Sequence, residues 1–160
     1  MRRMRGEHRE PDSMFSYVSP EQRIPKDHPL RAIRALVDEV LVDMSREFDR
    51  LYATIGRPSI PPERLLRAQL RQIFYSIRSE RLLMKQLDYN LLFRWFVGLT
   101  MDDRVWDPTT FTKNRDRLLN HTIARSFFQH VVERAQATLS IASSRDQSKG
   151  FCRYLRVVVN

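Results

Sequence analysis

Apolar positions recur every three to four residues from about residue 29 to residue 140, so the pattern predicts helices nearly throughout. Leu30, Ile33, Leu36, Val37, Val40, Leu41, Met44, Phe48 and Leu51 define a first core face, on a helix that starts at Pro29 with Asp27 or His28 as its cap. The other side alternates Arg34, Asp38, Glu39, Asp43, Arg46 and Glu47, a solvated exterior laced with ion pairs. The run GRPSIPP over 56–62 then breaks the period. A second helix is predicted over 62–77, with Leu66, Leu70, Ile73, Phe74 and Ile77 turned inward. Ser79 caps a third, from Glu80 to about Leu87, while Asn90 starts and Gly98 ends a fourth. Asp107 and Pro108 open a fifth helix, in which Phe111, Leu118 and Leu119 face inward. Thr122 caps a last one, where Ile123, Phe127, Phe128, Val131, Val132, Ala135 and Leu139 hold helical spacing. The fold class is all-α, a multi-helix bundle.

The ends of the chain do not share this period. Residues 1–19, with four arginines, three acids and no apolar repeat, read as a flexible arm. Residues 20–140 form the helical domain. Residues 141–160 turn serine-rich and close on Val157-Val158-Val159, a tail that does not continue the preceding pattern.

The densest apolar stretch is QLDYNLLFRWFVGL, Gln86 to Leu99, where nine large apolar side chains surround one cation, Arg94. Leu87, Leu91, Leu92, Trp95, Phe96 and Leu99 share most of one helical face. A core needs that arrangement; an open platform for stacking bases does not. The stretch is therefore expected to be the floor beneath the helix that starts at Asp107, with Trp95 buried and Arg94 available as a direct contact to a partner.

Composition changes the picture through charge. The 160 residues carry a net +9 and a pI near 10.4, and a basic domain of this kind most often meets nucleic acid. Arginine outnumbers lysine 24 to 4, a bias that GC-rich coding also produces, so the distribution matters more than the total. Residues 57–98 hold eight cations against three acids. Within them Arg64, Arg67, Arg71 and Arg78 fall near one side of the second predicted helix, either a phosphate-tracking edge or a polar face filled with good helix formers. On the fifth helix Thr110, Lys113, Asn114 and Arg117 fall at i, i+3, i+4 and i+7. Asn suits adenine, Arg and Lys suit guanine, and Thr suits a phosphate or a thymine methyl. A solvated stripe is the plainer reading of the same four residues.

Other chemistries find no support. The single Cys152 excludes an intrachain disulfide and a cysteine-rich zinc module. His8, His28, His121 and His130 sit on different predicted elements without ligand spacing, and the acids of 102–107 lack a calcium-loop pattern. No phosphate-binding glycine loop or nucleophile elbow occurs, so no active site is composed. No signal peptide and no 18-residue apolar run is present, which predicts no membrane partner and a reducing, cytoplasmic setting.

Four blocks, RIPKDHPLRAIR, GRPSIPPERLLRAQL, SERLLMKQLDYNLLFRWFVGL and WDPTTFTKNRDRLL, resemble in order the InsH-type N-terminal domain of bacterial insertion-sequence transposases with a DDE catalytic core. The resemblance runs from about Phe15 to Ser140. It implies a helical DNA-binding domain of helix-turn-helix character that binds the terminal inverted repeats of a mobile element, ahead of a ribonuclease-H-like catalytic domain. It also implies that magnesium belongs to that second domain, where three carboxylates hold the ions, and that this chain carries no cofactor. The first family Asp is expected just after Ser140, where this chain reads Ile141-Ala142-Ser143-Ser144, with Asp146 as its only later acid. The expectation is a DNA-binding part without catalytic competence, truncated or frameshifted after about residue 140. The alternative is an interaction module that pairs with itself or with full-length transposase.

Overall fold

The apolar repeat that begins at Pro29 folds as two helices rather than one. The computed structural model describes residues 19–51, 59–119 and 122–143, with α1 Pro20–Arg23, α2 Pro29–Asp43, α3 Ser45–Leu51, α4 Pro62–Phe74, α5 Glu80–Tyr89, α6 Leu91–Val97, α7 Pro108–Leu119 and α8 Thr122–Ser143. Between α2 and α3, Met44 takes φ −90°, ψ 0°. Its N–H still reaches the Val40 carbonyl at 3.1 Å and its own carbonyl accepts from Phe48 at 3.2 Å, so the bend loses little hydrogen bonding and keeps Met44 and Phe48 in the core. His28 is the cap: its Nδ1 accepts from the Leu30 N–H at 3.2 Å, and Pro29 follows where no amide donor is needed.

Before it lies α1, a short helix that periodicity did not predict. Ser19 caps it and Pro20 starts it. Arg31 ties this turn to α2, donating to the Pro25 carbonyl at 2.9 Å and to the Glu21 and Ile24 carbonyls at 2.7 and 2.9 Å, while its guanidinium also pairs with the Glu21 carboxylate.

α4 is the central helix, packed against α6 on one side and α7 on another. Leu65, Leu66, Ala68, Leu70 and Phe74 are buried along it, and so are Gln69 and Arg71. Ile73, predicted inward, is 43% exposed. A helix enclosed on several sides buries much of its circumference, so a single-stripe reading placed its inner face wrongly. It also ends at Phe74, three residues before the predicted Ile77, where Ser76 adopts φ +49°.

The next two helices follow the local signals closely. Ser79 accepts from Leu82 N–H, Asn90 Oδ1 accepts from the Leu92 and Phe93 amides at 3.0 and 3.3 Å, and Gly98 closes α6 at φ +87°. That left-handed turn brings the Gly98 and Leu99 amides back onto the Arg94 carbonyl at 2.9 and 2.8 Å, a conformation that favours glycine. α8 lies across α2 and α7, burying Ala124, Phe127, Val131 and Ala135 at three-to-four spacing. It runs on to Ser143, three residues beyond the predicted boundary; the remainder of the tail and the arm lie outside the described residues. Ile24, just after α1, and helices α2 to α8 contribute to one apolar core, and no strand occurs among the described residues.

Candidate nucleic-acid interface

The Gln86–Leu99 stretch is core, as its shared face predicted. Phe93, Trp95, Phe96, Val97 and Leu99 are buried, and Trp95 is only 5% exposed. Its indole N–H donates to the Glu21 carboxylate, and Arg34 lies over its ring at 4.4 Å from the centroid. Glu21 is held below the ordinary carboxylate range by its hydrogen bonds from Arg31 and Trp95. The floor beneath α7, however, is made by α8, α5 and α4. Within α6 the heavy side chains turn instead toward α4, α5 and α1. Tyr89, which lies outside the shared face of Leu87, Leu91, Leu92, Trp95, Phe96 and Leu99, stands 84% exposed at the end of α5.

Arg94 is not at the surface. It is buried in α6, and its guanidinium collects the carbonyls of Leu87 (3.1 Å), Thr100 (3.1 Å), Met101 (3.2 Å) and Asp103 (2.5 Å). The Leu87 carbonyl in the last turn of α5 is buried, and those of Thr100, Met101 and Asp103 belong to a partly buried turn without regular structure; arginine's planar fork is suited to gathering all four. The direct DNA contact expected of Arg94 is therefore corrected: this residue shapes the 98–107 segment that leads into α7.

Arg71 is corrected for the same reason. It is fully buried, its guanidinium carbon 3.7 Å from the Phe93 ring centroid and 4.0 Å from that of Tyr75. Aromatic faces carry negative charge density, so a cation enclosed by rings is stabilised there, out of reach of a phosphate. Arg67 is largely covered and pairs with Asp38 at 2.6 Å. Arg64 lies 3.5 Å from Asp103, whose carboxyl is held low by the Thr100 amide and by Arg64. Of the four cations predicted to form one edge, only Arg78, beyond the end of α4, is exposed without an ion pair among the described residues. The signal that could have warned of this is the flanking apolar residues: Leu70 and Phe74 bracket Arg71 within one turn on either side.

The α7 stripe is arranged differently. Asp107 Oδ1 accepts from the Thr109 and Thr110 amides at 2.8 and 3.3 Å, fixing the helix start. Thr110 and Lys113 are exposed. Asn114 is half-buried: its Nδ2 donates back to the Thr110 carbonyl at 2.8 Å, and its Oδ1 accepts from the Ser59 hydroxyl at 2.8 Å and from Arg117 at 3.3 Å. Arg117 also donates to Ser59 Oγ at 2.9 Å. Ser59, which sequence reasoning did not single out, therefore gathers Asn114 and Arg117 into one polar cluster. A cavity of about 440 Å³ opens beside it, lined by Ser59, Ile60, Trp106, Thr110, Asn114 and Arg117. Below the stripe, Arg115 clamps α7 to α5 through Glu80, whose carboxyl is held low by the α5 backbone and by Arg115. Trp106 stacks on Phe111 with centroids 6.2 Å apart and planes 17° from parallel.

Among the described residues, no group of three or more His, Cys, Asp or Glu could hold a metal ion, and no helix is long and apolar enough to cross a membrane. A family model described as Transposase domain (DUF772) matches residues 18–117. No curated protein and no solved structure matches the chain.

Proposed function

The chain belongs to the transposase-domain family, and on that premise we propose that it is the DNA-binding N-terminal part of an insertion-sequence transposase, engaging the terminal inverted repeats of a mobile element. The observation that carries this reading is the α7 surface, where Thr110, Lys113, Asn114 and Arg117 share one helix face and stand on a rigid base of α4 and α5. Rigid elements place base-reading groups more reproducibly than loops do. In a DNA complex, Asn114 and Arg117 exchange Ser59 for base edges, Asn toward adenine and Arg toward guanine, while Thr110 and Lys113 meet flanking phosphates or bases. In the unbound chain Ser59 keeps both side chains hydrogen-bonded, so binding replaces those bonds with bonds to bases rather than leaving polar groups unpaired.

Strand cleavage in a transposase of the DDE kind requires carboxylates that hold divalent metal. The described residues offer no such cluster, and no cleavage step is assigned to them. The domain over 20–140 supplies target recognition; the carboxylates belong to a catalytic domain.

The test is a gel shift on inverted-repeat and random duplexes with the wild type and with Arg117→Ala. The variant should lose about 1–3 kcal/mol of preference for the repeat and little affinity for random duplex. Equal losses on both duplexes would overturn the role given to α7. A second reading, an interaction module, draws on the exposed Leu82 and Tyr89 of α5. Salt-independent dimerisation without DNA binding would favour it.

A further inference from the structure

We propose that the outer face of α5 together with the segment leading into α7 forms a second DNA site, one that grips the phosphate backbone beside the stretch read by α7. The inference rests on the DNA-binding reading above and extends it to residues outside the α7 stripe. Along α5, Arg81, Lys85, Asp88 and Tyr89 fall within one stripe, on the side away from buried Leu83 and Leu87. Across a groove of about 520 Å³ stand Arg104 and Trp106.

Three observations point to a polyanion as the occupant. First, Arg81, Lys85 and Arg104 form no ion pair among the described residues, unlike Arg31, Arg34, Arg64, Arg67, Arg115 and Arg134, each of which meets a carboxylate. Three unneutralised cations facing one groove repel each other and hold counterions, which a phosphate backbone displaces with a gain in entropy. Second, Tyr89 projects its ring and hydroxyl almost fully into solvent at the rim, the shape of a side chain that packs on a sugar and donates to a phosphate oxygen. Third, the groove shares a wall with the α7 site: Trp106 lines both cavities, so a duplex seated on Thr110 and Asn114 runs on past Trp106 onto Arg104 and α5. Asp88 is the one carboxylate in the groove, and its charge opposes the ligand.

The experiment measures affinity against salt concentration for the full chain on inverted-repeat and random duplexes. Variants are Arg81→Ala/Lys85→Ala/Arg104→Ala and Asp88→Asn, with circular dichroism to confirm folding and sedimentation to follow self-association. The triple variant should weaken binding to both duplexes by about tenfold or more at moderate salt and flatten the log-affinity slope by about 2.7, roughly 0.9 for each lost contact. Asp88→Asn should tighten binding to both, a gain that misfolding does not produce. If the wild type binds neither duplex, the underlying DNA-binding reading fails. A wild type that binds, with both variants unchanged in slope and affinity, overturns the second site and leaves that reading intact. Loss of a salt-independent dimer in the triple variant, with DNA binding unaltered, makes this face a protein contact and equally overturns the proposal.

Discussion

Two sets of cationic side chains, one on α4 and α6 and the other on α5 and the segment before α7, meet opposite fates. In α4 and α6, Arg64, Arg67, Arg71 and Arg94 are drawn inward, onto Asp103, Asp38, a cage of aromatic rings and four backbone carbonyls respectively. On α5 and the 104 segment, Arg81, Lys85 and Arg104 have no such partners among the described residues. Net charge of the region does not distinguish the two. What distinguishes them is whether the neighbouring backbone and rings need a donor: a central helix such as α4 has little free surface, so its cations must be neutralised internally. A helix such as α5, covered on one side only, leaves its cations for a partner.

The largest test of this contrast is Arg94→Ala. The variant leaves the buried Leu87 carbonyl and three partly buried ones without their donor, at about 1–3 kcal/mol for a buried group and less where water reaches, so denaturant unfolding should show a loss of about 3 kcal/mol. If the variant instead keeps its unfolding midpoint and loses DNA affinity, Arg94 belongs with the outward set. Arg67→Ala should lower stability by about 1 kcal/mol, since a partly covered ion pair is removed, and leave the salt slope of DNA binding unchanged. A slope that flattens by about 0.9 would move Arg67 across the divide.

His28 offers a probe of comparable size. Its pKa lies below 6.5, first because burial disfavours the imidazolium and then because the Arg71 charge opposes it. A depressed folded pKa means that the unfolded chain binds the proton more readily. The contribution is therefore complete above pH 6.5 and is lost as pH falls through the folded value. Protonation also removes the Nδ1 acceptor that caps α2, an effect of about 1 kcal/mol. Thermal melts should thus show a fall in midpoint below pH 6.5 that His28→Asn abolishes while keeping the cap. In folded Arg71→Met, the His28 titration followed by NMR should move upward; an unmoved titration would mean that Arg71 does not act on α2. The smallest effect is expected for Lys113→Ala: stability within about 0.5 kcal/mol of wild type and a salt slope lower by about 0.9. A destabilised Lys113→Ala would place this lysine among the structural cations.

Local chemistry was legible where one or two neighbours decide the outcome. Ser79, Asn90, Gly98 and Asp107 mark helix ends because a side-chain oxygen or an absent Cβ acts within three residues of its own position. His28 capping α2 and the burial of Leu87, Trp95, Phe96 and Leu99 on one shared face belong to the same class. The short α1 escaped because four residues carry no period; its stability comes from Glu21 meeting Arg31 and Trp95, residues ten and seventy-four positions away.

The α7 stripe was legible as a stripe, and its tie to Ser59 was not, because Ser59 and Asn114 are fifty-five residues apart. The exposure of Ile73 and the burial of Arg71 were misjudged for a related reason: helical period tells which side chains share a face but not how many faces a helix buries.

By itself, then, the sequence determined that this is an all-α member of the transposase-domain family, where most helices begin and end, and which four residues line α7. Only the tertiary structure decided which arginines remain outward, because the fate of a charged group depends on the partners that distant segments bring to it. A capping hydrogen bond is set by neighbours in the chain; the neutralisation of a cation is set by neighbours in space.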